Sequence, residues 1–166
     1  MERLSPRVRP VWLVTAFIRA VFFGVFVVGG VYLLTETTEW ADALGVDAST
    51  LIWGAVGLAV LSLLFRLTVA WLRYSVWQFE VREDALYIER GVFTRIKTVV
   101  PFVRVQHVDS QRGPLERTVG LATVVVYTAG SRSADVAIPG LTPERAEDLR
   151  EELRRLAIES EGEDAV

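Results

Sequence analysis

The stretch Val11–Leu34, VWLVTAFIRAVFFGVFVVGGVYLL, decides the architecture of this chain together with its companion Leu51–Leu72, LIWGAVGLAVLSLLFRLTVAWL. A helix rises about 1.5 Å per residue, so about 20 apolar residues cross the roughly 30 Å hydrocarbon layer of a bilayer. Both stretches meet that length. The first is too long for the apolar core of a signal peptide, and no small-residue cleavage site follows it, so the sequence predicts a retained span. The connector Thr35–Thr50 carries Glu36, Glu39, Asp42 and Asp47 and no cation. The segment Met1–Pro10, read as an N-terminal tail, carries Arg3, Arg7 and Arg9, and Arg73 follows the second stretch. Positive charge marks the inner side of a membrane. The prediction is a two-helix transmembrane hairpin, multi-pass in the cell membrane, with the connector outside and both termini cytoplasmic.

One arginine interrupts each stretch. Arg19 and Arg66 both fall about 22 Å from the outer end of their helix, near the inner boundary, where a guanidinium reaches the headgroups while its methylenes stay in the apolar layer. An ion pathway would want a carboxylate partner, and neither stretch has one. Trp12 and Trp71 fall at the inner interface and Trp40 and Trp53 at or near the outer one, as an aromatic belt requires. Ala20-x-x-x-Gly24 and Ala55-x-x-x-Ala59 offer small faces on which the two helices can approach closely.

Composition removes several function classes. With no cysteine there is no disulfide framework, thiolate site or cysteine nucleophile. A single histidine, His107, is too few for a typical zinc site unless carboxylates supply the other ligands. A net charge of −3 gives no basic field for nucleic acid. The sequence thus implies no cofactor, no metal and no nucleic-acid partner.

Beyond the hairpin, 73–158 reads as one soluble domain and 159–166 as an acidic tail. From Tyr74 onward the hydrophobic period becomes two: Trp77, Phe79 and Val81 alternate with Gln78, Glu80 and Arg82, the pattern of a half-buried strand. Arg82-Glu83-Asp84 is a polar turn, and Leu86 and Ile88 continue the pattern up to Gly91. Further strands are expected over Thr94–Pro101, Val103–Ser110, Leu121–Ala129 and Ala134–Ile138, with turn signals at Gly113-Pro114 and Gly130-Ser131. Thr142, an N-cap, precedes Pro143 at the first helical position, with Glu144 and Glu147 at the positive end of the dipole. Ala146, Leu149, Leu153 and Leu156 form one apolar stripe. The expected fold is a mainly-β (α+β) domain: a bent antiparallel sheet or barrel closed by a C-terminal amphipathic helix.

The run Val100–Gly130, VPFVRVQHVDSQRGPLERTVGLATVVVYTAG, with Ala134–Leu141, ADVAIPGL, closely resembles the YdbS-like bacterial pleckstrin-homology (PH)-like family, also described as membrane-flanked domain proteins. The likeness covers about Trp71–Ala157. It implies a PH-like fold held at the cytoplasmic face, no known enzymatic activity, and association with a larger membrane protein bearing related domains. Eukaryotic PH domains that bind phosphoinositides have a basic cluster around their first two strands; the corresponding turn here, Arg82-Glu83-Asp84, is net acidic.

Two groups of candidate residues follow. His107 shares strand parity with Val103 and Val105 and is expected to point toward the core, with Asp109 on the same face to orient its imidazole. A structural histidine outweighs a metal ligand or general base, because a second ligand and a nucleophile are missing. Arg104, Gln106, Arg112 and Arg117 form a polar patch around it for a partner or anion, weighed against pairing with local carboxylates such as Glu116. Arg90, Arg95 and Lys97 flank Gly91–Val92 as contacts for anionic headgroups, weighed against a solvated edge hairpin. The expected role is non-enzymatic: an interaction or assembly module at the inner membrane face. Its expected partners are membrane lipid and another integral membrane protein with related domains, or a second copy. The alternative is a membrane-tethered sensor for a lipid or small anion.

Overall fold

In the computed structural model, residues 1–37, 45–129 and 135–163 are described, and they fall into two units, one of 12–71 and one of 1–11 with 72–166. Trp40, Glu39 and Asp42 of the connector, the Gly130-Ser131 turn and the last three residues of the acidic tail lie outside the described residues.

The first unit is formed by the parts of α1 (Val8–Thr37) and α2 (Ala48–Val76) that lie within 12–71. Each continues beyond its apolar run at both ends. Pro10 sits in the first turn of α1, where a missing N–H costs nothing. Asp47 opens α2: its carbonyl accepts from the Thr50 and Leu51 N–H groups and its carboxylate accepts from the Ser49 hydroxyl. Mean hydropathies of 2.3 and 2.0 accompany burial of only 6% and 11% of the apolar window, the reverse of a soluble core helix. Phe22, Phe26 and Trp53 are exposed, as side chains that face lipid would be. The small faces expected from the sequence do meet: Ala20 and Ala55 are buried, and a Cβ at Gly24 would lie 3.3 Å from that of Ala59.

The second unit holds two antiparallel sheets. The first has the order β1-β2-β3-β4, with β1 (Glu2–Arg3), β2 (Gln78–Val81), β3 (Ala85–Arg90) and β4 (Ile96–Pro101). A 3-10 turn, Phe102–Arg104, leads to the second, ordered β5-β6-β7, with β5 (Val105–Gln111), β6 (Ala122–Thr128) and β7 (Val136–Leu141). The sheets remain two open layers, so the bent-sheet form of the expected fold is the one adopted. The core between them is apolar: Phe79, Leu86 and Ile88 come from the first sheet, with Trp77 just before β2, and Val124, Val126 and Ile138 from the second. α3 (Pro114–Val119) is a short excursion between β5 and β6, and α4 (Pro143–Glu163) closes the domain. The Arg145 N–H donates to Thr142 Oγ1, which makes Thr142 the N-cap. Ala146, Leu149 and Leu153 on the expected stripe are fully buried, and the helix packs on the 3-10 turn, β5 and β6.

Four local readings change. Tyr74–Val76 is still helical, so the strand begins only at Gln78. Val103 and Arg104 belong to the 3-10 turn, since chain leaving one sheet for the other must bend there. Gly113-Pro114 begins a helix: Pro114 stands at its first position, and the Glu116 carboxylate accepts from the Gly113 N–H at 2.8 Å. The largest difference concerns Met1–Pro10, which folds into the domain. Glu2 and Arg3 pair with Phe79 and Gln78, Leu4 and Val8 are buried, and the Ser5 N–H donates to the Gly140 carbonyl at 2.8 Å. The Tyr74 hydroxyl donates to the Leu4 carbonyl, Arg9 lies 4.0 Å from the centroid of the Tyr74 ring, and Arg145 grips the Glu2 carboxylate with two nitrogens.

Candidate functional site

β5 lies at the edge of its sheet, with β6 as its only strand partner among the described residues. Of its seven residues only Val105 is buried, and the next, Gln106, sits at a register shift between Val105 and His107. That irregularity inverts the expected parity. An unbroken strand would turn His107 inward with Val105; the extra residue instead sends it to the surface, with a side chain 58% exposed. There the imidazole stacks on Tyr127, the centroids 4.1 Å apart and the planes 16° from parallel. Asp109 does share its face, but Oδ2 lies 4.0 Å from Nε2, too far for a hydrogen bond. Among the described residues no group of three histidine, aspartate or glutamate side chains is placed to hold a metal.

The rest of the patch divides by what holds it. Arg104, at the end of the 3-10 turn, and Gln106, the second residue of β5, occupy exposed positions. The Arg112 Nε donates to the Leu121 carbonyl at 3.3 Å, and the Arg117 Nε donates to the Arg112 carbonyl at 3.1 Å. Both guanidinium groups thereby brace α3. Glu116 does not take the arginine-pairing role weighed for it, because the Gly113 N–H and the Thr123 hydroxyl occupy its two oxygens. Beside Gln106 and His107 a groove of about 390 Å³ runs between β5 and α4, with Arg150, Arg154, Ala157 and Ile158 on its helical side. The sequence reading missed these four. Ile158 was the available signal, an isoleucine one position beyond the buried stripe and 59% exposed.

The basic hairpin also divides. Lys97 Nζ lies 2.7 Å from Glu89, and the Gln78 side-chain amide donates to the other oxygen of that carboxylate. These two partners hold the Glu89 carboxyl below its ordinary range, with Lys97 the larger cause. Arg90 and Arg95 have no such partner among the described residues. Arg66 donates from Nε to Ser62 Oγ at 3.3 Å and lies 5.7 Å from the Phe23 ring centroid, while Arg19 is exposed.

Two open antiparallel sheets closed by a C-terminal helix, behind two apolar helices, define a membrane-associated PH-like protein. The family model described as "Bacterial PH domain" matches residues 20–157, and the chain belongs to that family. The UPF0699 transmembrane protein YdbS of Bacillus subtilis (strain 168) is 44% identical over 85 residues, which are 51% of this chain and 52% of YdbS. The match thus spans about half the length of that relative. No solved structure matches the chain. The family is not a known enzyme family.

Proposed function

We propose that this protein is a non-enzymatic, membrane-anchored module that binds another membrane protein through the outer edge of β5 and the adjoining groove. The observation that carries this reading is the combination at one place of an edge strand, a groove and an exposed apolar residue. An unpaired strand edge offers a row of backbone donors and acceptors to an added strand, and neighbouring side-chain pockets supply selectivity. The hairpin holds the domain at the bilayer and raises its effective concentration for partners in the same membrane. Arginine in Met1–Pro10 and at Arg73, set against the acidic connector, favours a cytoplasmic domain with both termini inside. The partner is an integral membrane protein with related PH-like domains, or a second copy of this chain. The reading of a ligand sensor is disfavoured for the domain interior, which is filled by side chains such as Phe79, Phe102 and Leu86.

Site-specific photocrosslinking in native membranes tests the reading. A probe at Gln106 or Ile158 is expected to capture a defined membrane protein or another copy, and a probe at the exposed turn residue Glu83 is not. Equal capture from Glu83, or none from the β5 groove, would overturn it.

A further inference from the structure

The strand register brings three strand ends together at one corner of the first sheet. Gln78 opens β2, two residues after α2 ends, and it pairs with Arg3 on one side and Glu89 on the other. The turn following β3 therefore lies at the end of the sheet where α2 arrives. A cleft of about 200 Å³ opens at that corner, lined by Arg3, Ser75, Gln78, Glu89, Arg90 and Arg95. Three guanidinium groups face one carboxylate, and that carboxylate is already neutralised by Lys97 at 2.7 Å. None of the three arginines has an ion-pair partner among the described residues. The cleft is thus a net cationic cavity with unspent donors.

The adjoining turn is apolar at its tip. Phe93 is 76% exposed and Ile96 47% exposed, directly beside Arg95. Gly91 sets this turn: its φ is +102°, and a Cβ there would collide with the Thr94 carbonyl oxygen. The tip is consequently a shaped projection. The apolar run ends at Leu72, and α2 continues only to Val76, about 6 Å further at helical rise. The headgroup layer is of similar thickness, roughly 5–8 Å on each side of the hydrocarbon.

We propose that Arg3, Arg90 and Arg95 bind the phosphate of an anionic phospholipid at the inner surface of the bilayer, while Phe93 enters the interface beside it. Guanidinium forks suit phosphate oxygens, and an aromatic ring suits the headgroup level. This site is separate from the β5 groove and from the acidic Arg82-Glu83-Asp84 turn at the other end of the same strands. Loss of partner capture at β5 would leave it intact.

The test uses the full-length chain in nonionic detergent. Phosphatidylglycerol or phosphatidylcholine is titrated in, and retained lipid is counted by native mass spectrometry. Wild type is expected to retain phosphatidylglycerol preferentially. R3Q/R90Q/R95Q is expected to lose on the order of a hundredfold in affinity, from about fivefold per cation near an anionic surface. Arg82→Gln, paired with Glu80 at the other end of the same strands, is expected to change it by less than about threefold. Phe93→Ser is expected to weaken retention with all the charges in place. Equal retention of both lipids, or full retention by the triple variant, would overturn the proposal. So would complete displacement by soluble glycerol phosphate with no effect of Phe93→Ser, since that pattern assigns the cleft to a free phosphate.

Discussion

Gly140→Ala is a sharp test of how the N-terminal segment is held. Gly140 has φ +69°, and a Cβ built there would stand 2.6 Å from Val8 Cγ2 and 2.7 Å from Val8 Cβ. Two costs follow. An L-residue in the left-handed region loses roughly 1–2 kcal/mol relative to glycine. Forcing a methyl into a filled contact adds about 1–3 kcal/mol. Val8 cannot step aside cheaply, because it is 2% exposed and begins α1. The expected loss is therefore about 2–5 kcal/mol, or a partial detachment of Met1–Val8 that relieves it. Urea unfolding of the full chain in mild detergent, followed by near-ultraviolet circular dichroism, reads the first. Hydrogen exchange reads the second: the Ser5 amide, bonded to the Gly140 carbonyl, should exchange at least tenfold faster. Gly162→Ala is the control, since no atom would lie within 4 Å of its Cβ and alanine is the better helix former, by up to about 1 kcal/mol. A Gly140→Ala cost below about 1 kcal/mol with unchanged Ser5 exchange would refute the packing argument.

Two further outcomes are expected. Leu153→Ala should cost about 2–5 kcal/mol, because its side chain is fully buried, whereas His107→Ala should cost no more than about 1 kcal/mol in the same urea titration; comparable losses would return the histidine to the core. The Glu80 carboxyl is held below its ordinary 4.5, chiefly by the hydrogen bond from Arg82, so Arg82→Gln should raise its titration midpoint toward 4.5 in a carboxyl-carbon NMR titration. A depressed folded-state value stabilises above pH 4.5 and is lost as pH falls through it, so variant and wild type should converge in stability in acid. A Glu80 midpoint insensitive to the substitution would rule out Arg82 as the cause.

Local pattern carried most of this fold into the sequence. Trp77, Phe79, Leu86 and Ile88 alternate because one face of the first sheet meets the core, and the α4 stripe repeats because one face of the helix does. Ala20 and Gly24 were legible for the same reason, as small residues one helical turn apart. What failed to show was non-local. His107 was misplaced because a register shift leaves no mark on hydrophobic alternation, and one extra residue reverses every side chain after it. The groove was missed because its two walls lie some fifty residues apart in sequence. Arg3 joins Arg90 and Arg95 only through the register of β1 on β2, which no spacing rule contains.

β1 shows most clearly why such contacts escape a linear reading. Two residues have no period, and a two-residue strand has too few hydrogen bonds to order itself. Fixing the backbone of Glu2–Pro6 costs about 1–2 kcal/mol per residue. The compensation comes from distant parts of the chain: burial of Leu4, the bidentate grip of Arg145 on Glu2, and the hydrogen bonds from Tyr74 to Leu4 and from Ser5 to Gly140. Helix α1 lowers the cost further by fixing Val8, so only a short segment remains to be ordered. The inner turn of α1 and the last turn of α2 thus fold as parts of the domain, joined by Arg9 on Tyr74. Membrane helix and soluble sheet share residues at both attachments, and that sharing places the first arginine of the chain at the cationic corner.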